Sequence, residues 1–425
     1  MTDIDAERQL GIPETALIPN LEVRDGYSVI VEKPRQDRLF EAVPAKIDVS
    51  RVSHVMVANE IGPCGGVEAA VLGAQVIAAD SLSEQAVYVN ARITNGADST
   101  AALEEQGVVM SVDVNDPSIP DGARYAISAH GNRRDLEAAR AKGLEVVDLT
   151  CIFVDSTHKE IENVAERMSE DQIPTGILYL SVGGRPDHAE FLGSTQLIED
   201  QEVPYVPVFS VADVDRLFDR DDQISLERSG WQRIRIISQT TNDSDVAAGM
   251  ADEIVDRIRA SELDIDTDTF PYNSTDVCRT VRNRQHATQE MVRQGVETLV
   301  VMGSVNSKNT KNLVDVAIGT AAELQNNGEE VALQRVIFAN SHLQLPSQLE
   351  GRVGVVSVAS SDQRNIDWAV RTIDPEGTHQ VVGDSDKSGA RKVFPLVLRR
   401  KPDGEQRTQR ELNRKIRDAY EQRQR

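Results

Sequence analysis

Residues 52–79, VSHVMVANEIGPCGGVEAAVLGAQVIAA, contain the pattern from which the fold class follows. Val52–Ala58 is an apolar run of strand length, and a glycine- and proline-containing turn, Ile61–Gly66, follows it. The next thirteen residues, VEAAVLGAQVIAA, are apolar with the spacing of a helix. The stretch therefore predicts a strand, a turn and a helix, with Cys64 at the point where the strand gives way to the helix.

The same arrangement occurs twice more along the chain. LEVVDL at Leu144–Leu149 predicts a strand, Cys151 follows it, and Ser156–Glu170 has a helical pattern. Cys278 precedes another helical stretch, NRQHATQEMVRQG, and then the apolar strand ETLVVMG. Strands and helices in alternation are typical of α/β units with parallel sheets, so we expect three such units with one cysteine at a strand end in each.

The three cysteines are an odd number at long spacing, which argues against a disulfide framework and fits a reducing compartment. Helix N-termini favour thiolates, and three thiolates that meet could hold an iron–sulfur cluster with one iron left without a protein ligand. The alternative is that each cysteine is a small buried apolar residue and that the three lie far apart.

Polar residues follow several of the apolar runs. These clusters are Ser128–Gly131, Gln239–Thr241, Gly303–Asn309 and Ala359–Ser361. Hydroxyls and amides at strand ends, next to helix N-termini, suit the oxygens of a phosphate or diphosphate. Each residue could instead simply cap a helix.

Length and composition predict a protein of several domains. The chain has 425 residues with 40% hydrophobic and 27% charged residues, the balance of a globular protein of about three domains. We expect an N-terminal extension over 1–50, α/β domains over 51–151, 152–275 and 276–375, and a basic tail over 376–425. The first 50 residues contain four prolines and little periodicity, so we expect them to wrap on the surface or to be partly loose.

Charge and hydropathy exclude some classes of function. The last segment, Asp386–Arg425, carries +7 and the preceding residues −30, a balance that argues against a nucleic-acid partner. The tail sequence EQRTQRELNRKIRDAYEQRQR predicts a solvated charged helix with little apolar face, or alternatively a docking site for an acidic electron donor. We expect no membrane partner and a cytoplasmic location, because no apolar run reaches the ~20 residues of a membrane span and the first residues are acidic.

Together these motifs resemble the 4-hydroxy-3-methylbut-2-enyl diphosphate reductases, the LytB family of the non-mevalonate isoprenoid pathway. The resemblance covers about residues 52–372 and rests on the three cysteine turns together with SAHG, QTT, NRQ and GSVNSKN. It implies a trefoil of three α/β domains, with mainly parallel sheets, around a central [4Fe–4S] cluster held by Cys64, Cys151 and Cys278. It also implies removal of an allylic hydroxyl as water, with electrons from a donor such as ferredoxin or flavodoxin.

The family motifs also imply a set of substrate-binding residues. Around a small anionic substrate, a diphosphate, we expect Asn95, His130, Arg185, Thr240, Ser307, Asn309 and Ser360. Asp187 is the expected catalytic residue, since it occupies the place of the glutamate that relays a proton in the family's His-Pro-Glu motif.

Several positions depart from the family pattern. Ile93-Thr94-Asn95 stands where the family has Val-His-Asn, and Gly184-Arg185-Pro186-Asp187 stands where it has His-Pro-Glu. Asp187 keeps the carboxyl on a side chain one methylene shorter. Arg185 adds a fixed positive charge that can bind a phosphate or carboxylate through two hydrogen bonds. Lys308 replaces a residue that is usually small.

These departures leave three functions open. The first is the family's own reductase, and the second is a paralogue with the same cluster and an altered substrate in specialised metabolism. The third is a non-catalytic, cluster-based redox sensor.

Overall fold

The computed structural model of the chain describes residues 17–24, 26–34, 47–80, 86–183, 186–273, 276–304, 307–341, 344–383, 395–397 and 407–424. Its strands are β1 (Leu17–Arg24), β2 (Tyr27–Pro34), β3 (Asp48–Ala58), β4 (Val87–Val89), β5 (Val108–Met110), β6 (Arg124–Ile127), β7 (Glu145–Asp148), β8 (Thr175–Leu180), β9 (Tyr205–Val208), β10 (Arg233–Ser238), β11 (Thr298–Met302), β12 (Arg335–Ala339), β13 (Gln348–Ser357) and β14 (Gln380–Val382). Its helices are α1 (Gly65–Ala79), α2 (Ala97–Glu105), α3 (Arg133–Ala141), α4 (Ile152–Asp171), α5 (Ala189–Asp200), α6 (Val211–Leu217), α7 (Leu226–Ser229), α8 (Ser244–Ala260), α9 (Arg279–Arg293), α10 (Lys308–Asn326), α11 (Gln363–Ile373) and α12 (Arg407–Arg423). In the described part of the chain, no helix is both long enough and apolar enough to span a membrane.

The chain divides into two compact units, each built from separate stretches of sequence. The first comprises Met1–Cys64, Thr94–Ser99 and Thr280–Ala390, and the second comprises Gly65–Ile93, Thr100–Arg279 and Arg391–Arg425. The described strands form three sheets, and every strand pair is parallel except β1–β2. The predicted α/β class with mainly parallel sheets is therefore confirmed.

The first unit is organised around a seven-stranded sheet in the order β1-β2-β12-β11-β13-β3-β14. All five residues of β11, TLVVM, are buried, as expected for a central strand of a parallel sheet covered on both faces. Leu299 and Val301 contribute to the apolar core on one face of this sheet, while Val300 and Met302 contribute to the core on the other. The strand predicted at residues 52–58 is found as β3, in parallel register with β13.

The N-terminal segment differs from the sequence-based expectation in its described part. Strands β1 and β2 form an antiparallel hairpin, and β2 pairs in parallel with β12 at the edge of the sheet. Val29 and Val31 are buried in the core, and Glu32 accepts a hydrogen bond of 2.9 Å from Arg335. From Ser28 to Val31 exposed and buried residues alternate, and the buried Val29 and Val31 attach β2 to the core.

The second unit contains two parallel sheets, β10-β8-β9 and β5-β4-β6-β7. The predicted helix at 156–170 is longer than expected, because α4 begins at Ile152, directly after Cys151. The helix predicted near Ser244 is α8, which Asp243 caps by accepting hydrogen bonds from the Asp245 and Val246 amides at 3.0 and 3.1 Å.

The C-terminal helix was expected to be solvated and to have little apolar face, and this was wrong. In α12, Leu412 and Ile416 are 1% and 0% exposed, and they join the core that includes residues of α1. Lys415 pairs with Asp80, at the end of α1. The two apolar residues lie four apart on one helical face, so even a strongly charged sequence can dock a helix through a narrow stripe.

Candidate functional site

Cys64 lies in the turn that follows β3, as predicted. Its backbone N–H donates to the carbonyl of Ala359 at 3.3 Å, just beyond the carboxyl end of β13. Gly62 has a φ of +84°, which glycine adopts without strain, and its N–H donates to the Ser357 hydroxyl at 2.8 Å. The turn is therefore held against the end of β13 by its own backbone.

Arg284, on α9, locks the same turn, a role that the sequence motifs did not reveal. Its side chain is 4% exposed and donates to the carbonyls of Gly62 at 2.6 Å and Ser357 at 2.8 Å. The planar guanidinium can serve two carbonyls at once, which a lysine cannot do in the same geometry. NRQ, one of the stretches on which the family resemblance rests, thus contains a structural anchor for the Cys64 turn.

Asn95 and Ser360 are brought to one place in the first unit. The Thr94 hydroxyl donates to the Ser360 carbonyl at 3.1 Å and accepts from the Gly96 N–H at 3.1 Å. Asp362 accepts from the Asp98 amide at 2.9 Å, which caps the start of α2. Thr94, which stands where the family pattern has a histidine, therefore ties this loop to the end of β13.

Ser307 and Asn309 lie at the start of α10. Ser307 is the N-cap residue and is 7% exposed, yet its side chain makes no capping hydrogen bond. The Asn309 side-chain oxygen is buried and accepts no hydrogen bond from the described residues. Asn309 lines a small cavity together with Val358 and Ala359, next to Ser360. The Ser307 hydroxyl makes no capping hydrogen bond and the Asn309 oxygen has no donor among the described residues, so both could form hydrogen bonds with a ligand.

His130 lies in the second unit, in the loop after β6. Its Nδ1 is buried without a hydrogen-bond partner among the described residues, and burial lowers the pKa of the imidazole because it disfavours the charged form. The ring meets that of His188 edge to face, with centroids 5.5 Å apart. A Cβ at Gly193 of α5 would lie 2.4 Å from the Gly131 carbonyl oxygen, so the absence of a side chain allows this helix to approach the loop closely.

Thr240 follows β10 and is 4% exposed. Its backbone N–H donates to a carboxylate oxygen of Glu190 at 2.7 Å, and its carbonyl accepts from the Cys278 N–H at 2.8 Å. Gln239, the residue before it, donates from its amide to the Thr241 hydroxyl at 3.0 Å. His130 and Thr240 are thus linked through His188 and Gln239, whose side chains lie 2.9 Å apart.

Cys278 directly precedes α9, but it does not directly follow a strand, so the expectation of a strand end was wrong at this cysteine. The hydrogen bond to Thr240 ties it to the loop after β10 instead. Asp276 nearby is largely buried, and this burial raises the pKa of its carboxyl to about 6, although Arg235 opposes the shift.

Cys151 occupies the N-cap position of α4, and its N–H donates to the Ala129 carbonyl at 3.1 Å. A short C-terminal segment covers this backbone, with Cys151 and Leu396 forming an antiparallel bridge. The Ile152 N–H donates to the Pro395 carbonyl, and the Val397 N–H donates to the Thr150 carbonyl, both at 3.0 Å. All three cysteines are partly exposed and outside any disulfide.

Two predicted residues remain, and both precede α5 in the sequence. Asp187 is exposed and directly precedes His188, the N-cap residue of α5, while Arg185 lies outside the described residues. Among the residues that the structure describes, no three His, Cys, Asp or Glu side chains are grouped closely enough to hold a metal ion. The roles of the predicted ligands therefore stay predictions.

The parallel sheets, the thiols at helix starts and the polar groups after strand ends describe an α/β protein whose polar groups lie at the carboxyl ends of its strands, the edge at which open α/β sheets bind ligands. The profile of one family, described as "LytB protein", matches residues 55–374. The chain belongs to this family.

Its relatives match over most of their length. The 4-hydroxy-3-methylbut-2-enyl diphosphate reductase of Cutibacterium acnes is 32% identical over 265 residues, which cover 62% of this chain and 71% of that protein. The enzyme of the same name from Neisseria meningitidis serogroup C is 27% identical over 356 residues, 83% of this chain and 96% of its own. The solved structure of the E-1-hydroxy-2-methyl-but-2-enyl-4-diphosphate reductase from Plasmodium falciparum has the same fold, with a TM-score of 0.61 at 20% identity over 86% of this chain and 98% of that one.

Proposed function

We propose that this protein is an iron–sulfur reductase that converts 4-hydroxy-3-methylbut-2-enyl diphosphate to isopentenyl and dimethylallyl diphosphate. In balanced form, the substrate takes up two electrons and two protons and loses its allylic hydroxyl as water. The observation that carries the proposal is the setting of the three cysteines, each at the start of a helix and each held by a backbone hydrogen bond.

The donor set fits a [4Fe–4S] cluster. Cys64, Cys151 and Cys278 are partly exposed thiols outside disulfides, and thiolates are the ligands that such clusters require. Helix N-termini stabilise the thiolate form. When bound by three thiolates, such a cluster supplies electrons and an open iron that acts as a Lewis acid.

The diphosphate is assigned to polar groups that the fold leaves available. Ser307 offers a hydroxyl and Asn309 an amide at the N-terminus of a helix of 19 residues, where the helix dipole favours an anion. Thr94, the neighbour of Asn95 in the sequence, donates to the Ser360 carbonyl, and His130 and Thr240 are linked in the second unit through His188 and Gln239. Arg185 would add a fixed positive charge for the same anion.

Asp187 is assigned to hold the proton that goes to the leaving hydroxyl. A carboxyl can serve as a general acid if it reaches the oxygen within hydrogen-bond distance, and a misplacement of about 1 Å can cost on the order of 100-fold in rate. The side chain is exposed here, so solvent protons can reach it directly. The electron donor, a ferredoxin or a flavodoxin, stays a prediction.

The test is a turnover assay without oxygen. The reconstituted protein is mixed with reduced methyl viologen, and oxidation of the viologen is followed when 4-hydroxy-3-methylbut-2-enyl diphosphate is added. We expect rapid oxidation with the wild type and none with Cys64→Ala, whereas the exposed-surface variant Arg414→Ala should match the wild type. Absence of oxidation by a wild-type protein that contains the full cluster would contradict the proposal.

A second candidate function is reduction of a different allylic substrate, and the replacements at Arg185 and Asp187 favour it. The double variant Arg185→His, Asp187→Glu restores the family's residues at both positions. If the wild type is inactive and this variant gains no activity on the family's substrate, an altered substrate is favoured over a weakened version of the same enzyme. A cluster whose spectrum responds to no allylic diphosphate would instead favour redox sensing.

A further inference from the structure

We propose that Tyr420 of α12 is a positioning residue for the cluster site, because it covers the start of α1 directly after Cys64. The inference rests on the proposed function, in which Cys64 and Cys151 are cluster ligands. The match to the LytB family ends at residue 374, so α12 lies outside the part of the chain that this match covers. The helix therefore adds to the site a contact that the family motifs do not describe.

Helix α12 lies antiparallel along α1. Lys415, in the middle of α12, pairs with Asp80, directly after the end of α1. Ile416 reaches the middle of α1, where its Cγ2 lies 3.6 Å from the point that a Cβ at Gly73 would occupy. The residues of α12 that follow Ile416 therefore approach the first turn of α1, which comes directly after Cys64 in the chain.

Polar side chains connect α12 to that first turn. The carboxylate of Glu68 accepts a hydrogen bond of 2.8 Å from the side-chain amide of Gln424 and lies 3.0 Å from Nε of Arg423. The Arg423 side chain is 54% exposed, and an ion pair this exposed contributes little free energy. These contacts therefore fix the register of the two helices more than they stabilise the pair.

Tyr420 is the side chain that meets the start of α1. Its hydroxyl oxygen lies 2.9 Å from the point that a Cβ at Gly65 would occupy, which is closer than real Cβ atoms approach other heavy atoms. Glycine at this position, bonded directly to Cys64, therefore leaves the space that the phenol fills. Tyr420 also packs against the apolar core that Leu412 and Ile416 join, so its ring is held between that core and α1.

The segment at residues 395–397 extends this cover to the second helix start. Pro395 lies 3.7 Å from the same point at Gly65, and its carbonyl accepts the Ile152 N–H at 3.0 Å. Cys151, the residue before Ile152, packs against the same apolar core as α12. One C-terminal cover, residues 395–397 together with α12, therefore borders both helix starts.

The physical role of Tyr420 follows from this position. Solvent exposure is one of the factors that tune an iron–sulfur cluster, and groups that orient a metal ligand from outside the ligand set typically change metal retention about 10- to 100-fold when they are removed. The ring of Tyr420 keeps water from the Cys64 side of the site and holds the backbone of Gly65 in place. Because the ring supplies this cover, phenylalanine should replace tyrosine with little effect.

The test compares variants at Tyr420 and Gly65 in the full chain. Tyr420→Ala removes the ring, whereas Tyr420→Phe keeps the ring and removes only the oxygen nearest Gly65. Gly65→Ala adds the methyl group that would collide with that oxygen, and the double variant Gly65→Ala, Tyr420→Phe removes the collision again. Glu421→Ala, an exposed change next to Tyr420 on the same helix, is the matched control.

Two quantities are measured for each variant. The first is the alkylation rate of Cys64 by iodoacetamide in metal-free protein, resolved by mass spectrometry, with Cys278 in the same sample as the internal reference. The second is the rate at which the reconstituted protein loses its visible cluster absorbance in air. For Tyr420→Ala and Gly65→Ala we expect both rates to rise about 10-fold, while the alkylation rate of Cys278 stays unchanged.

The double variant distinguishes this contact from a general loss of stability. We expect Tyr420→Phe and the double variant to stay close to the Glu421→Ala control in both measurements. The proposal is overturned if Tyr420→Ala behaves like that control, if the double variant is as impaired as Gly65→Ala, or if alkylation of Cys278 accelerates as much as that of Cys64. A wild type without cluster or turnover would refute the proposed reaction, while the alkylation rates in metal-free protein would still decide the role of Tyr420.

Discussion

Replacing Ile416 by alanine should loosen the C-terminal helix and, through it, the segment that covers Cys151. Ile416 is fully buried and shares a core with Leu412 and Leu396, against which Cys151 packs. Alanine lacks three of the four side-chain carbons, which at about 0.8 kcal/mol for each buried carbon corresponds to roughly 2.4 kcal/mol of lost transfer free energy. The cavity that remains raises the expected loss to about 3–4 kcal/mol.

Because α12 is at the end of the chain, we expect much of this loss to appear as undocking of the helix rather than as global unfolding. A loss of about 3 kcal/mol increases the undocked population by roughly 100-fold, since each 1.4 kcal/mol is a factor of ten. Alkylation of Cys151 in metal-free protein, resolved by mass spectrometry, should accelerate by up to that factor. Arg414→Ala, an exposed change on the same helix, is the control for both this rate and the melting temperature. Equal rates and equal melting temperatures for the two variants would refute the role of α12 in covering Cys151.

Three further predictions concern single residues. His158 is 1% exposed, and burial lowers its pKa from 6.5 to about 3. Between these pH values the imidazole is protonated in the unfolded chain but neutral in the folded protein, so the free energy of unfolding falls as the pH drops through that window. At pH 5 the loss is about 2 kcal/mol relative to pH 8, and urea unfolding should show His158→Leu to be less sensitive to acid by that amount. Arg284→Met leaves two buried carbonyls without their donor and should lower the free energy of unfolding by about 2–4 kcal/mol in the same assay. An unfolding midpoint equal to that of the wild type would mean that the turn at Gly62 does not need Arg284 for its stability. Gly193→Ala places a Cβ 2.4 Å from the Gly131 oxygen, so we expect it to lower kcat even where the protein remains folded, and unchanged kinetics would show that the loop gives way without consequence.

Local pattern was sufficient for much of the fold and for the position of two cysteines. The strand at 52–58, the helix after Cys64 and the strand before Cys151 follow from apolar runs of a characteristic length and period, which are properties of neighbouring residues. Strand β11 also follows from a short apolar run, and its five residues are all buried. The identity of the family also came from local motifs, because glycines, cysteines and hydroxyls at set spacings specify turns and ligands that a short stretch of chain can form.

Long-range contacts decided the features that the sequence alone did not reveal. The hairpin at residues 17–34 is ordered by its pairing with β12, about 300 residues further along, and no short window carries that information. Helix α12 docks because Leu412 and Ile416 pack into a core formed with residues of α1. The many charged residues of the helix made this short apolar stripe hard to recognise in the sequence.

Long-range contacts also decided which side chain supports the turn that contains Cys64. Arg284 became recognisable only through its partners, the carbonyls of Gly62 and Ser357, which are distant in sequence. Periodicity and motif spacing encode the local conformation of a segment, whereas the use of a buried charge or an imidazole nitrogen is set by whichever backbone groups the tertiary structure brings within hydrogen-bond distance.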